Sequence, residues 1–439
     1  MTDKQFKWIG AISVVALVVV LIEGGQGPDD SWVKAAANRP ATSVNAALPE
    51  AAGADQVDVA ADDSGDSSGS GLDGDASGVV SADSSGDGSF SDSEITGEEG
   101  TETSTPASST PTEGSETPSS EQALKPSKIK HVFVIALQGQ GGEATFGASS
   151  SAPYLASQLR PKGTLLTDFS SLGGDLADLV GMVGGQPPNS STQSGCEIYK
   201  EYAQSVAPSK QGVISSAGCA YPNTVTTVVD QLGASNLTWQ SYIEDIERGP
   251  KGDIKCRRPD SDAQDDTFKG RPGDSYATRH NPFVYFHSLL DLGECDKANG
   301  SLKELDAKLT GKAPNFNWIA PNLCNAGTEN PCADGSEGGL ARADKFLANW
   351  VPKILASPSY KKDGLLIVTF AGGKVGENNG TLVVSPFAEA GAASSTKYNP
   401  YALLRTFEDL FGLKPLALAK DATGFADSVL GRAVDQPTD

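Results

Sequence analysis

The stretches His131-Val132-Phe133-Val134-Ile135-Ala136-Leu137 and Gly364-Leu365-Leu366-Ile367-Val368-Thr369-Phe370 decide the fold of this chain. Each is a short apolar run rich in branched side chains, and each leads into a glycine-rich loop. Such runs are typical of central parallel strands that are buried on both faces. They predict an α/β protein whose functional residues follow the carboxyl ends of its strands.

Helical periodicity accompanies these runs. Between Asp344 and Leu355, one side of the predicted helix carries apolar residues, namely Phe346, Leu347, Trp350, Val351 and Ile354. A second amphipathic helix is predicted from Tyr401 to Phe411, and Gly412 is suited to end it. Strands alternating with such helices predict a three-layer α/β/α sandwich.

The predicted domain covers residues 128–432 and is followed by a flexible tail, 433–439. Residues 23–127 are predicted to form a disordered linker, because their Ser, Gly, Asp, Glu, Thr and Pro side chains bury too little apolar surface to offset chain entropy. From Glu50 to Leu124 there are 18 acidic and no basic residues, so this segment holds 18 of the 22 net negative charges. A self-repelling spacer is the favoured interpretation, and a ligand-binding acidic segment is the alternative.

An apolar run at residues 8–22 follows Lys4 and Lys7 and precedes acidic residues. This charge order predicts a transmembrane signal-anchor helix, with residues 1–7 in the cytoplasm and the domain outside it. The run is shorter than the roughly 20 residues of a typical span, so a cleaved signal peptide and a secreted protein remain the alternative.

All six cysteines lie in the predicted domain: Cys196, Cys219, Cys256, Cys295, Cys324 and Cys332. An even number in a segment placed outside the membrane predicts disulfides. Of the fifteen possible pairings, sequence proximity favours 196 with 219, 256 with 295, and 324 with 332. A thiolate metal site is the alternative, although no C-x-x-C spacing occurs.

Six motifs in the predicted domain resemble, in order, those of the phosphoesterase family that includes bacterial acid phosphatases and phospholipase C enzymes, within the alkaline-phosphatase superfamily. They are Lys130–Ile135, Ala152–Leu155, Thr238–Asp245, His280–Phe286, Pro321–Asn325 and Leu403–Leu413. The resemblance implies an alkaline-phosphatase-like fold. It also implies a divalent metal centre that polarises phosphate, with a Ser or Thr nucleophile at a helix start.

The positions that match the family's metal ligands hold other residues in this chain. The family's Leu-Glu-Asn element reads Leu137-Gln138-Gly139, and its Asp-x-His element reads Ala326-Gly327-Thr328. Its Asp-Glu pair reads Ala371-Gly372, and Pro400 stands where a His is expected. Ala, Gly and Pro side chains cannot coordinate a metal, so we expect no metal cofactor; a divalent metal is expected only if ligands are displaced to other residues.

The family's nucleophile element aligns with Gly173-Gly174-Asp175-Leu176-Ala177-Asp178. Asp175 then occupies the nucleophile position and Asp178 that of a phosphate-contacting Asn. Both carboxylates would repel phosphate, so we expect Asp175 to cap the helix and Asp178 to favour the positive end of its dipole. A repurposed aspartyl nucleophile or metal-binding pair is the alternative.

The candidate pocket consists of Asp175, Asp178, His280, Asn281, Asn322 and Asn325. Nucleic acid is not an expected partner, because the densest basic cluster, Lys251 to Arg258, belongs to a chain with no basic excess and is expected to be solvated. The expected partners are the membrane, through the N-terminal helix, and an unidentified envelope or extracellular ligand.

The sequence therefore predicts a membrane-anchored, non-catalytic phosphoesterase-like domain that serves as a binding or envelope scaffold module. The alternative is an active acid phosphatase or phospholipase C with displaced ligands, for which Glu143, Asp175, Asp178 and Glu377 are the nearest carboxylates. A glycan- or protein-binding module would show an open groove lined with aromatic and amide side chains.

Overall fold

The computed structural model describes residues 127–139, 141–203, 205–248 and 256–431. The predicted anchor at 8–22, the linker up to residue 126 and the tail at 433–439 lie outside these residues. Within the described part of the chain, no helix is both long and apolar enough to cross a membrane.

One sheet of eight strands forms the centre of the described domain. The strands are β1 (His131–Gln138), β2 (Thr164–Phe169), β3 (Trp239–Ile243), β4 (Asn299–Gly300), β5 (Phe316–Ala320), β6 (Gly364–Ala371), β7 (Thr381–Val384) and β8 (Ala393–Tyr398). Their order across the sheet is β4-β3-β5-β1-β6-β7-β2-β8. β1 is parallel to both β5 and β6, whereas β7 runs antiparallel to its neighbours β6 and β2. The sheet is therefore mixed, with the two deciding stretches paired at its centre.

The helices that flank the sheet vary widely in length. They are α1 (Gly142–Phe146), α2 (Asp175–Gly184), α3 (Ser190–Gln193), α4 (Val228–Ala234), α5 (His287–Leu290), α6 (Glu294–Ala298), α7 (Leu302–Leu309), α8 (Gly339–Ala356), α9 (Pro358–Asp363), α10 (Pro400–Phe411) and α11 (Ala426–Leu430). A π-helix spans Tyr154–Leu159, and 3₁₀ turns span Arg160–Lys162, Ile246–Arg248, Thr278–His280, Pro282–Tyr285 and Ala417–Asp421.

Two hydrophobic cores lie on opposite faces of the sheet. Val132, Val134 and Ala136 of β1 pack with residues of α2, α4 and α10. Phe133, Ile135 and Leu137, which point the other way because side chains alternate along a strand, pack with α7 and α8. The predicted three-layer arrangement is confirmed.

Both predicted helices are present, with boundaries that differ from the prediction. α8 begins five residues before Asp344, and its predicted apolar face is buried. α10 begins at Pro400, where the fixed φ of proline suits the first helical position. Gly412 ends α10 with a left-handed φ of 67°, as predicted.

The disulfide pairing favoured by sequence proximity is confirmed. Cys196 is bonded to Cys219, Cys256 to Cys295 and Cys324 to Cys332. These bridges cross-link the irregular segments between α3 and α8, where both strands and long helices are few.

Candidate functional site

The carboxyl ends of the central strands β1 and β6 lie beside the start of α2. Gln138 is paired with Ala371, and the N–H of Gly139 donates to the Ala371 carbonyl at 2.6 Å. A Cβ placed on Gly372 would lie 3.6 Å from the Gly139 Cα and 3.7 Å from the Asp175 Cβ. The structure thus brings together these five positions, which the resemblance assigns to metal ligands and nucleophile.

Asp175 is held in an ion pair at the start of α2. One carboxylate oxygen accepts from the Leu176 N–H at 2.8 Å, and the other accepts from Arg279 Nε at 2.7 Å. The Arg279 guanidinium lies over the ring of Phe268, 4.5 Å from its centroid, and donates to the Phe268 carbonyl. Gly174 occupies the N-cap position, so the expectation that Asp175 is the cap is wrong by one residue. The ion-pair partner of Asp175, Arg279, was not a predicted site residue.

Asp178 is buried one turn further along α2. Its carboxylate accepts from Ser171 Oγ at 2.8 Å and from the N–H groups of Leu172 at 2.6 Å and Gly372 at 2.8 Å. Burial nevertheless raises the pKa of this carboxyl to about 7, and the three hydrogen bonds only partly oppose that effect. Asp178 therefore ties α2 to the end of β6, a more specific role than the expected interaction with the helix dipole.

His280 lies next to this ion pair and is fully buried. Its Nδ1 donates to the Pro321 carbonyl at 3.2 Å, and its Nε2 lies 4.0 Å from the Asp175 carboxylate. Burial and the charge of Arg279 lower the pKa of His280 to about 4. The imidazole is therefore neutral near pH 7, and with Nδ1 carrying the proton, Nε2 offers a lone pair rather than a positive charge. Asn281 follows it and is also buried.

Three other positions, Ala326, Thr328 and Pro400, also replace metal ligands of the family, and they lie less close together. Ala326 is buried, and its carbonyl accepts from the Gln138 N–H at 3.0 Å. Pro400 is buried where α10 approaches Gly181 of α2, whereas the side chain of Thr328 is exposed.

Asn322 and Asn325 belong to a separate network at the ends of β3 and β5. The Asn325 amide donates to the Glu244 carboxylate at 2.9 and 3.0 Å and accepts from Arg342 Nε at 2.7 Å. The Asn322 amide donates to Asp245 at 2.7 Å, and its N–H donates to Glu244 at 3.1 Å. Burial raises the pKa of Glu244. The candidate pocket is therefore divided into two groups of residues. Asp175, Asp178, His280 and Asn281 form one group, and Asn322 and Asn325 belong to the other.

Glu244, Asp245, Arg279 and Arg342 were not among the predicted site residues, although Glu244 and Asp245 end the motif Thr238–Asp245. Glu244 and Asp245 directly follow β3, so their position after a strand was a usable signal. Arg279 and Arg342 lie in a 3₁₀ turn and in α8, and no local pattern indicated their long-range partners.

Arg257 corrects the expectation that the basic cluster is solvated. Its guanidinium is buried and donates to both carboxylate oxygens of Asp274, at 2.9 and 2.7 Å. It also lies 4.6 Å from the centroid of the Tyr276 ring. This pair fixes the segment that follows Cys256.

The residues at the β1–β6 end do not fit a divalent metal centre. The side-chain amide of Gln138 is buried and has no hydrogen-bond partner in the described part of the chain, and it brings no charge. Asp175 is neutralised by Arg279, and Asp178 is occupied by three donors. Glu377 accepts from the Lys374 N–H at 2.8 Å, and Glu143 lies against Gly147. Among the described residues, no three His, Cys, Asp or Glu side chains are grouped so that they could hold a metal ion.

Comparison with known proteins agrees with the six motifs. The sequence model of the Phosphoesterase family matches residues 180–414, more than half of the chain. A phosphate-repressible acid phosphatase from Penicillium chrysogenum is 21% identical over 150 residues, which are 34% of this chain and 32% of that protein. This chain therefore matches about a third of the length of that relative.

Solved structures also match parts of this chain at low identity. A protein of the alkaline phosphatase superfamily from Vibrio parahaemolyticus matches 67% of this chain and 70% of its own, with 13% identity and a TM-score of 0.39. The lipoteichoic acid synthase LtaP from Listeria monocytogenes matches 66% and 74%, with 13% identity and a TM-score of 0.36. A phosphonate monoester hydrolase from Silicibacter pomeroyi matches 71% and 78%, with 11% identity and a TM-score of 0.39.

Proposed function

The chain belongs to the Phosphoesterase family, and from that premise we propose that it is a non-catalytic member that serves as a binding or envelope scaffold module. The observation that carries the proposal is the ion pair between Asp175 and Arg279 at the family's nucleophile position. A carboxylate that is paired with a guanidinium at 2.7 Å is a poor nucleophile, because the positive charge stabilises its electron pairs.

The surroundings of this ion pair support the same conclusion. Metal-dependent phosphoryl chemistry needs carboxylate or imidazole ligands that hold the cation and share its charge. Here, Gln138, Gly139, Ala371 and Gly372 surround the start of α2 and provide no ionisable group. Asp178 serves to hold the backbone of Gly372, so its removal would loosen the site instead of removing a ligand.

The test uses the full-length protein, purified and dialysed against zinc, magnesium or calcium. Metal content is measured by elemental analysis, and hydrolysis of p-nitrophenyl phosphate is measured on the same sample. We expect no stoichiometric metal and no turnover above buffer. Turnover that is present in the wild type and lost in Asp175→Ala would overturn the proposal and identify this carboxylate as the nucleophile of an active phosphoesterase.

We also propose that residues 8–22 anchor the protein in a membrane, with the domain outside the cytoplasm. The apolar run, the preceding lysines and the disulfides support this placement. Carbonate extraction of membranes from the expressing cells should leave the full-length chain in the membrane fraction. Release of a shorter, soluble chain would instead show that the segment is cleaved and the protein secreted.

A further inference from the structure

The strand β8 lies at one end of the sheet and is paired on one side. Within the described part of the chain, β2 is the only strand that pairs with it. Its exposed residues are Ala393, Ser395, Thr396 and Lys397. An unpaired strand edge presents a row of backbone donors and acceptors, and such edges can bind an extended segment as an additional strand. The edge of β8 is therefore a candidate interaction surface.

The hydrogen bonds to β2 show which backbone groups of β8 face the open side. The N–H of Leu165 on β2 donates to the Ala392 carbonyl at 2.9 Å, so the carbonyl of Ala392 faces β2. Successive residues of a strand direct their backbone groups to opposite sides, so those of Ala393 and Ser395 face away from β2. A β-bulge interrupts the pairing with β2 directly after this stretch. The first half of β8 thus offers the N–H and C=O groups of two residues to a further strand.

A groove, here called the β8 groove, runs along the first half of this strand. Its volume is about 630 Å³, and the successive residues 392–396 line it. A cavity over one face of a strand would be lined by alternate residues, so lining by successive residues indicates the edge of the strand. The short helix α11 also lines the groove, with Asp427, Ser428 and Val429.

The β8 groove combines apolar and acidic side chains. Phe387 and Val429 line it and also pack against the hydrophobic core. Glu389 and Asp427 line it as well, and both residues are exposed. Among the described residues, no lysine or arginine lines the groove. Its charge is therefore negative, which favours a positively charged ligand.

The charge of the β8 groove disfavours segments of this protein as its occupant. The chain has a net charge of −22, and 18 acidic and no basic residues lie between Glu50 and Leu124. That acidic segment, or a second copy of the chain, would be repelled by the carboxylates of the groove. Residues 432–439 contain one arginine and two aspartates, so they do not neutralise the groove either. A lysine- or arginine-containing segment of another protein matches its charge.

We propose that the β8 groove binds an extended, positively charged peptide segment of another protein. The backbone of this segment pairs with Ala393 and Ser395 as an additional strand of the sheet. Its apolar side chains contact the apolar part of the groove, and its basic side chains approach the carboxylates of Glu389 and Asp427. This inference goes beyond the proposed function, because it does not depend on the chemistry of the β1–β6 end.

The experiment is fluorescence anisotropy of the full-length protein with a dye-labelled octapeptide of alternating lysine and valine, at about 0.15 M salt. A second octapeptide has the same side chains, but all its backbone nitrogens carry methyl groups. It keeps the positive charge and lacks the donors that pair with a strand edge. We expect it to bind about tenfold more weakly, because it cannot form these hydrogen bonds. Attraction to the acidic residues 50–124 is common to both peptides.

Substitutions test the groove from the side of the protein. Ala393→Pro removes an N–H that faces away from β2, and proline is tolerated at the first residue of a strand, so peptide binding should weaken about tenfold while the sheet is kept. Asp427→Asn should weaken binding about threefold, because it removes one charge of the groove. The matched control is Asp296→Asn, an exposed substitution on α6, which directly precedes the opposite edge strand β4 and should bind like the wild type. Thermal unfolding identifies any variant that fails to fold, and the methylated peptide then decides.

Three results would overturn the inference: no binding of the lysine–valine octapeptide, equal binding of the methylated one, or tighter binding of an octapeptide of alternating glutamate and valine. A dimer in sedimentation velocity that Ala393→Pro converts to a monomer would also overturn it, because β8 would then pair with a second copy. Tighter peptide binding after removal of residues 432–439 would overturn it too, since it would assign the groove to that segment. None of these results bears on the proposed function, which the hydrolysis of p-nitrophenyl phosphate tests separately.

Discussion

The β1–β6 end and the β3–β5 end of the sheet differ in what surrounds their polar side chains. At the β1–β6 end, Gln138 and Asp178 are almost completely buried, and the carboxylate of Asp178 is satisfied by the protein itself. At the β3–β5 end, Glu244 and Asn325 are equally well bonded but only partly buried, and they line a cleft. A position in a family motif therefore does not by itself make a binding site, because its polar groups must also remain open to a ligand.

Two of the three disulfides, Cys256–Cys295 and Cys324–Cys332, lie near the β3–β5 end. The Cys256–Cys295 bridge has a sequence separation of 39, and its replacement by Cys256→Ser with Cys295→Ser should lower the free energy of unfolding by about 4 kcal/mol, since the unfolded chain gains loop entropy. Urea denaturation at neutral pH measures the change.

The matched control is Cys324→Ser with Cys332→Ser. That bridge has a sequence separation of only 8, so we expect a smaller loss, about 2.5 kcal/mol. An equal or larger loss would show that native contacts, and not loop length, govern the stability of this end.

Removing Arg279 tests the ion pair of the β1–β6 end. Arg279→Leu should lower the free energy of unfolding by about 3 kcal/mol, because it leaves the carboxylate of Asp175 partly buried and without its partner. Asp175→Asn alone should cost less, and a double-mutant cycle should give a coupling energy of about 1–3 kcal/mol. Additive effects of the two substitutions would contradict the paired arrangement.

Asp178 should give the β1–β6 end a pH dependence. Its folded pKa of about 7 lies above its ordinary value of 3.8, so the stabilisation is complete below about pH 4 and is lost as the pH rises through 7. Asp178 alone should make stability fall by about 1 kcal/mol per pH unit between pH 5 and pH 7. Asp178→Asn should flatten this part of the profile, measured by urea denaturation across pH.

Glu408→Gln is the control for that profile. Glu408 is buried in α10, and burial raises its pKa from an ordinary 4.5 to about 8, so its stabilisation is lost as the pH rises from about 5 through 8. Glu408→Gln should therefore flatten the profile between pH 5 and pH 7, as Asp178→Asn does, and should also flatten it between pH 7 and pH 8. If Glu408→Gln keeps the wild-type slope between pH 7 and pH 8, the higher pKa assigned to Glu408 is wrong.

The smallest expected effect on stability comes from the hydrogen-bond network of Asn325 at the β3–β5 end. Asn325→Ala should lower the free energy of unfolding by about 1 kcal/mol, because solvent replaces part of the hydrogen bonding of the half-buried Glu244 and Arg342. Differential scanning calorimetry suffices to measure it. A loss comparable to that of Arg279→Leu would mean that the two ends are equally closed to water.

The central strands, the two long helices and the pairing of the cysteines could be predicted from local patterns. The apolar runs at His131 and Gly364 leave little choice but a buried strand, and periodicity over more than ten residues indicates a helix. The helix starts were less accurately predicted: α8 begins at Gly339, and tertiary contacts bury Leu340 and Ala343 in its first turns.

The sequence showed which family residues are replaced in the candidate site, but it did not show which residues contact one another there. The resemblance identified Gln138, Gly139, Ala371 and Gly372 as positions without ligands, and the structure brings them together. It did not indicate that Asn322 and Asn325 lie in another network, because nothing in their spacing shows that Glu244, about 80 residues away, is their partner.

The sequence by itself determined that an amide, two glycines and an alanine stand at Gln138, Gly139, Gly372 and Ala371, because the identity of a residue does not depend on packing. Only the tertiary structure decided what the remaining carboxylates do. Asp175 meets Arg279 across 104 positions and Asp178 meets Gly372 across 194, and such pairings arise from the packing of helices on the sheet, which no local pattern of residues encodes.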